Sequence, residues 1–61
     1  MTDLKKNRLE KGYTQEEVAR LLHVSVNTVR LWDRGAGKPS ADNREAIERL
    51  FGRAIRFGGD E

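Results

Sequence analysis

At 61 residues the chain is too short for more than one domain, and a domain of this size buries only about 60% of its unfolded surface, which leaves little room for a catalytic cleft and its supporting shell. It has no cysteine and a single histidine, His23, so it offers neither a disulfide framework nor a set of metal ligands. Twelve Lys+Arg against ten Asp+Glu give a net charge of +2, unevenly spread: residues 1–40 carry eight basic and five acidic side chains, residues 41–61 four and five. An uneven basic balance suits a surface facing nucleic acid, but an ordinary solvated surface explains +2 equally well.

The first helix is expected within "TDLKKNRLEKG", with Thr2 or Asp3 as its cap and Gly12 as its stop. The second is "TQEEVARLL". Thr14 followed three residues later by Glu17 is a capping box, in which each side chain satisfies an orphan backbone N–H of the other. Val18, Ala19 and Leu22 then fall on one face. Ser25 caps a third helix, "VNTVRLWDR", which ends at Gly35. Val29 and Trp32 share its inner face with the edge of Val26, whereas Asn27, Arg30, Leu31 and Arg34 point roughly opposite. "GAGKPS" is a loop by composition. Ser40 or Asp42 starts a fourth helix, "ADNREAIERLF", with Ile47, Leu50 and Phe51 at apolar spacing and Gly52 as its stop. "RAIRF" is expected to add one short turn with Ile55 and Phe57 as late core residues, and "GGDE" to fray. The expected domain is thus 1–57, with a disordered tail over 58–61. No apolar run exceeds two residues, so neither a leader nor a membrane span is read, and a cytoplasmic domain is expected.

Helices two and three are separated only by His23 to Ser25. So short a turn between two helices, the second with a polar outer face, is the pattern of a helix-turn-helix. His23 at that turn is expected to take a left-handed backbone; histidine tolerates this better than a β-branched residue, though glycine costs least.

"TQEEVARLLHVSVNTVRLWDRG" resembles the phage repressor and Cro type of helix-turn-helix, the xenobiotic-response-element family. The likeness rests on "TQ" opening helix two, "VA" inside it, "VS" at the turn, "T-V" within helix three and "W-D-R-G" at its end. "LKKNRLEKGYTQ" upstream and "GKPS" downstream extend it over roughly Leu4 to Gly52. The chain departs from the family at His23, where a glycine is usual, and in the shortened last helix.

The resemblance implies an all-α, compact bundle of four to five short helices of the lambda-repressor-like kind, bacterial or phage-encoded. It implies a transcription regulator, a repressor by preference, that puts helix three into the major groove of double-stranded operator DNA, as a possible homodimer joined through helix four and "RAIRF". Val26 would meet a thymine methyl, Asn27 an adenine edge and Arg30 a guanine, with Thr28 and Leu31 as secondary base contacts. Thr14, Gln15, Ser25, Arg34 and Lys38 would hold phosphates, which sets register but reads no sequence. Arg8 and Asp33 would form an internal ion pair tying helix one to the end of helix three.

Each assignment has a plainer alternative. Trp32 could stack on bases, but its place on the Val29 face makes it core. Arg30 and Arg34 taken alone are equally a solvated charged face. Asn27 could bond backbone in the first turn of its helix. Lys5 and Lys6 read as ordinary helix surface, and Arg44, Glu45, Glu48 and Arg49 as i,i+4 surface pairs. No catalytic constellation, phosphate loop, metal set, cofactor site or small-molecule site is read, so the chain is expected not to be an enzyme. Two other functions stay open: an excisionase-like or architectural DNA-binding factor of a mobile element, and an antitoxin-type interaction module. The last would engage its partner through Ile47, Phe51 and Phe57 rather than through helix three.

Overall fold

Each of the four helices starts with the same device. In the computed structural model, which describes residues 2–57, α1 spans Asp3–Lys11, α2 Gln15–Leu22, α3 Val26–Asp33 and α4 Ala41–Phe51. The residue before each is Thr2, Thr14, Ser25 or Ser40, in extended backbone. Its hydroxyl oxygen accepts the backbone N–H three residues on, at Lys5 (3.1 Å), Glu17 (3.0 Å), Thr28 (3.2 Å) and Asn43 (3.3 Å). Such a cap is worth about 1 kcal/mol, so together the four help to fix where these short helices begin. At Thr14 the box closes, because the Thr14 N–H donates to Glu17 Oε1 at 2.8 Å.

The helix ends use left-handed residues. Gly12 and Gly52 cap α1 and α4 with φ of 78° and 72°, values that L side chains rarely adopt. His23 caps α2 at φ 60° and ψ 42°, the expected left-handed turn without a glycine. There its N–H reaches Arg20 O (3.3 Å) and the Val24 N–H reaches Ala19 O (3.0 Å), so two of the last four carbonyls of α2 are satisfied before the chain turns into α3.

The core is built from one face of every helix. Leu4, Val18, Ala19, Leu22, Val29, Trp32, Ile47 and Phe51 are buried, with Tyr13, Val24, Val26, Ala46 and Leu50 packed against them. Tyr13 meets the Phe51 ring edge to face, with centroids 5.9 Å apart. Trp32 is core, as its spacing with Val29 indicated. Ile47 and Phe51, offered in one reading as a partner surface, are 0% and 3% exposed, and Phe57 is 4% exposed. All three are spent on the chain's own interior and leave no such surface.

The short turn expected over "RAIRF" does not form. Residues 54–57 have no helical structure. Ile55 and Phe57 are buried while Ala54 and Arg56 are exposed, an alternation of period two that belongs to extended chain. The backbone donors explain why. The Ile55 N–H faces Glu48 Oε2 at 3.5 Å and the Arg56 N–H donates to Asp3 Oδ2 at 2.9 Å, so carboxylates from α4 and α1 take the place of helix carbonyls. Arg53 Nη1 adds a 3.0 Å bond to Asn7 Oδ1, and the Arg44 guanidinium lies 5.5 Å from the Phe57 ring centroid. The segment straps the bundle shut across α1 and α4. Because Ile55 and Phe57 close the chain's own core, they are not available as the apolar part of a contact between two copies. The tail expected over 58–61 lies outside the described residues.

Candidate nucleic-acid interface

α3 presents two unlike faces. Val29 and Trp32 look inward, 0% and 4% exposed. Asn27, Arg30, Leu31 and Arg34 are all exposed, on the opposite side of the helix. Leu31 keeps 41% of its surface in solvent, which leaves an apolar group among polar ones. The structure therefore puts four of the residues singled out in helix three on one open surface. Val26 and Thr28 are different. Val26 is half-buried and packs against the core, and half-buried Thr28 shares a 2.9 Å hydrogen bond between its hydroxyl and that of Ser25. Both present only part of their side chains outward.

The Asn27 side chain bonds Arg30 rather than the backbone of its own first turn. Its Oδ1 accepts a hydrogen bond from Arg30 Nη1 at 3.0 Å, along one face of the helix. The i,i+3 spacing makes the contact possible, but amphipathic periodicity gives no sign of it.

Behind this face lies a buried polar network. Arg8 and Asp33 are 7% and 4% exposed, and the carboxylate receives the guanidinium through Nη2 (2.7 Å) and Nε (3.0 Å) at Oδ2. Arg8 Nη1 reaches back to the carbonyl of Tyr13 at 2.8 Å. This fork-shaped pairing suits arginine and would not suit lysine. The same Oδ2 also accepts from Gln15 Nε2 at 3.1 Å. Gln15, singled out as a phosphate ligand, is thus half-buried and anchored to the internal pair, with one amide hydrogen and its oxygen left for anything outside. The Thr2 hydroxyl donates to the Asp33 carbonyl, which fastens the start of α1 to the end of α3. The network joins α1, α2 and α3, so the outer face of α3 is held on a fixed base. No buried side-chain polar atom among the described residues lacks a hydrogen-bond partner.

Thr14, Ser25 and Lys38 are exposed. Thr14 and Ser25 each stand at a helix N-terminus, with the hydroxyl oxygen already accepting from the helix and the O–H free to turn elsewhere in Thr14. On α4, Arg44–Glu48 and Arg49–Glu45 form the expected i,i+4 pairs at 3.9 and 3.6 Å, the second fully on exposed surface and the first with Glu48 half-buried. Sequence reasoning missed Asn7, which is 4% exposed and donates through Nδ2 to the Asp3 carbonyl at 2.8 Å while accepting from Arg53. Nothing in the pattern of α1 marks it, because its partner lies 46 residues further on. Among the described residues no group of His, Cys, Asp or Glu could hold a metal ion, and no helix is long and apolar enough to cross a membrane.

The comparisons agree with this architecture. A relative from Bacillus subtilis (strain 168), the uncharacterized HTH-type transcriptional regulator YqaF, is 51% identical over 37 residues, 61% of this chain. The chain spans about half the length of that relative, 49% of which is aligned. No solved structure matches at comparable significance. A family model described as helix-turn-helix matches residues 4–57, from the first core leucine of α1 to the last core aromatic of the C-terminal strap. With nearly its whole length matched and its α2–turn–α3 unit in place, the chain belongs to the XRE/Cro-type helix-turn-helix family.

Proposed function

We propose that the chain is a sequence-specific, double-stranded DNA-binding regulator of transcription, acting as a repressor by occupying an operator. The observation that carries this reading is the outer face of α3: Asn27, Arg30, Leu31 and Arg34 stand together in solvent on a helix whose other face is locked into the core. A helix of that kind, entering the major groove by its N-terminal part, offers amide and guanidinium donors to base edges and an apolar group to a thymine methyl. In this reading Asn27 and Arg30 read bases, with Leu31 and the outward parts of Val26 and Thr28 beside them. Thr14, Ser25, Arg34 and Lys38 hold phosphates, and Gln15 joins them with the amide hydrogen that Asp33 leaves over. Arg8 and Asp33 touch no DNA; they set the angle of α3 against α1 and α2.

The relative is named as a transcriptional regulator, and membership of the family supports the same role here. The protein works where the DNA is, in the cytoplasm of a bacterium. It acts as a homodimer on two half-sites about one helical turn apart. Since Ile55 and Phe57 are committed internally, the dimer contact falls on the exposed side of α4.

Selection of bound duplexes from a random pool tests the proposal. One enriched sequence with two inverted half-sites is the expected result. A single unrepeated half-site would remove the dimer, and no enrichment over the starting pool would remove sequence-specific binding.

A further inference from the structure

Asn27 is ordinarily suited to adenine, because its amide offers one donor and one acceptor to the N7 and N6 positions of that base. Here the acceptor is engaged. The guanidinium of Arg30 has five N–H donors and no acceptor, so the Asn27 atom 3.0 Å from Nη1 is necessarily the amide oxygen. That fixes the orientation of the amide: Oδ1 turns towards Arg30 and Nδ2 turns away. Oδ1 retains a second lone pair. An adenine N6–H2 seeking it would have to approach beside a cationic guanidinium, donor against donor.

From this geometry we infer that Asn27 and Arg30 act as one reading unit with a donor-only edge, selecting guanine rather than adenine at the position Asn27 addresses. The edge consists of the two Nδ2 hydrogens of Asn27 and the N–H groups of Arg30 not directed at Oδ1. Its complement in the major groove is a base with acceptors alone, and guanine, with N7 and O6, is the purine that has them. Adenine sets an N6–H2 donor against the same edge. The unit also keeps an i,i+3 spacing on the helix face, so its two halves stand side by side. Both side chains are exposed. The inference rests on the DNA-binding reading and sharpens it from a list of contacts to a base preference.

The test runs three random-duplex selections with the full chain: unsubstituted, Asn27→Ala and Arg30→Ala. The base position whose preference vanishes with Asn27→Ala marks where Asn27 reads. At that position the unsubstituted chain is expected to favour guanine over adenine by about tenfold, the scale of one good side-chain–base pair. Arg30→Ala releases Oδ1, and the same position is then expected to shift to adenine. Adenine at that position in the unsubstituted chain, unmoved by Arg30→Ala, overturns the inference and leaves DNA binding intact. The absence of any position that responds to Asn27→Ala overturns it as well. No enrichment in any pool removes the DNA-binding reading together with the unit. Because both residues are exposed, unchanged thermal melting of the two variants separates lost reading from lost folding.

Discussion

Arg8 and Arg30 each end on the side-chain oxygen of another residue, and their surroundings set them apart. Arg8 is buried, meets a carboxylate at 2.7 Å, and carries a backbone carbonyl on its third nitrogen. Arg30 is exposed and meets a neutral amide on its own helix, three residues back. The first contact crosses 25 residues of sequence and joins two helices; the second joins nothing that the helix had not already joined. In water an exposed contact of this kind adds little stability, whereas a buried charge that loses its partner is expensive. A charged group serves the fold where solvent is excluded, and serves recognition where solvent can be displaced by something else.

The sharpest way to break this contrast is at the buried pair. Asp33→Ala strands the Arg8 guanidinium in the interior, unpairs Gln15, and should cost about 3–5 kcal/mol. A chain of this length has roughly 3–9 kcal/mol of stability in all, so the variant should lose between about a third of it and the whole. Urea melts of Arg8→Ala, Asp33→Ala and the double variant form a cycle in which the double change costs much less than the sum of the singles. Strict additivity would mean that the pair is not coupled. Arg30→Ala is the counterpart: stability should move by no more than about 0.5 kcal/mol, while binding to the selected duplex falls by about 1–3 kcal/mol. A large loss of stability there would erase the distinction between the two arginines.

A smaller effect is expected at the turn that presents α3. His23 holds φ 60°, where a side chain costs roughly 1–2 kcal/mol and a glycine nothing comparable. Set against the entropy that glycine adds to the unfolded chain, His23→Gly should raise stability by roughly 0.5 kcal/mol. A loss on melting would show that the imidazole contributes a contact that outweighs the strain.

Much of the fold was legible because it is local. Thr14 and Glu17 announce a helix start in four residues, Gly12 and Gly52 announce stops, and Val29 with Trp32 declares an inner face. The turn at His23 follows from the shortness of the joint between α2 and α3. What escaped is non-local or conformational. The strap at residues 53–57 depends on Asp3, Asn7 and Glu48 taking donors from a segment distant in sequence from the first two, and a short stretch such as "RAIRF" does not tell extended chain from a helical turn. The candidate interface divides in the same way. Periodicity places Asn27, Arg30, Leu31 and Arg34 on the outer side of α3. It does not say that Asn27 turns its oxygen to Arg30, or that Gln15 is held by Asp33, because rotamers and cross-helix hydrogen bonds leave no period in a sequence.

The claim on which the rest depends is that the outer face of α3 reads bases rather than merely carrying charge. It is tested by titrating the unsubstituted chain, Arg30→Ala and Lys38→Ala against the selected duplex and a scrambled one over a range of salt concentrations. Arg30→Ala should lose about tenfold on the selected duplex and clearly less on the scrambled one, whereas Lys38→Ala should weaken both alike and flatten the salt dependence by about one unit of slope. Equal losses on the two duplexes for Arg30→Ala would contradict the account.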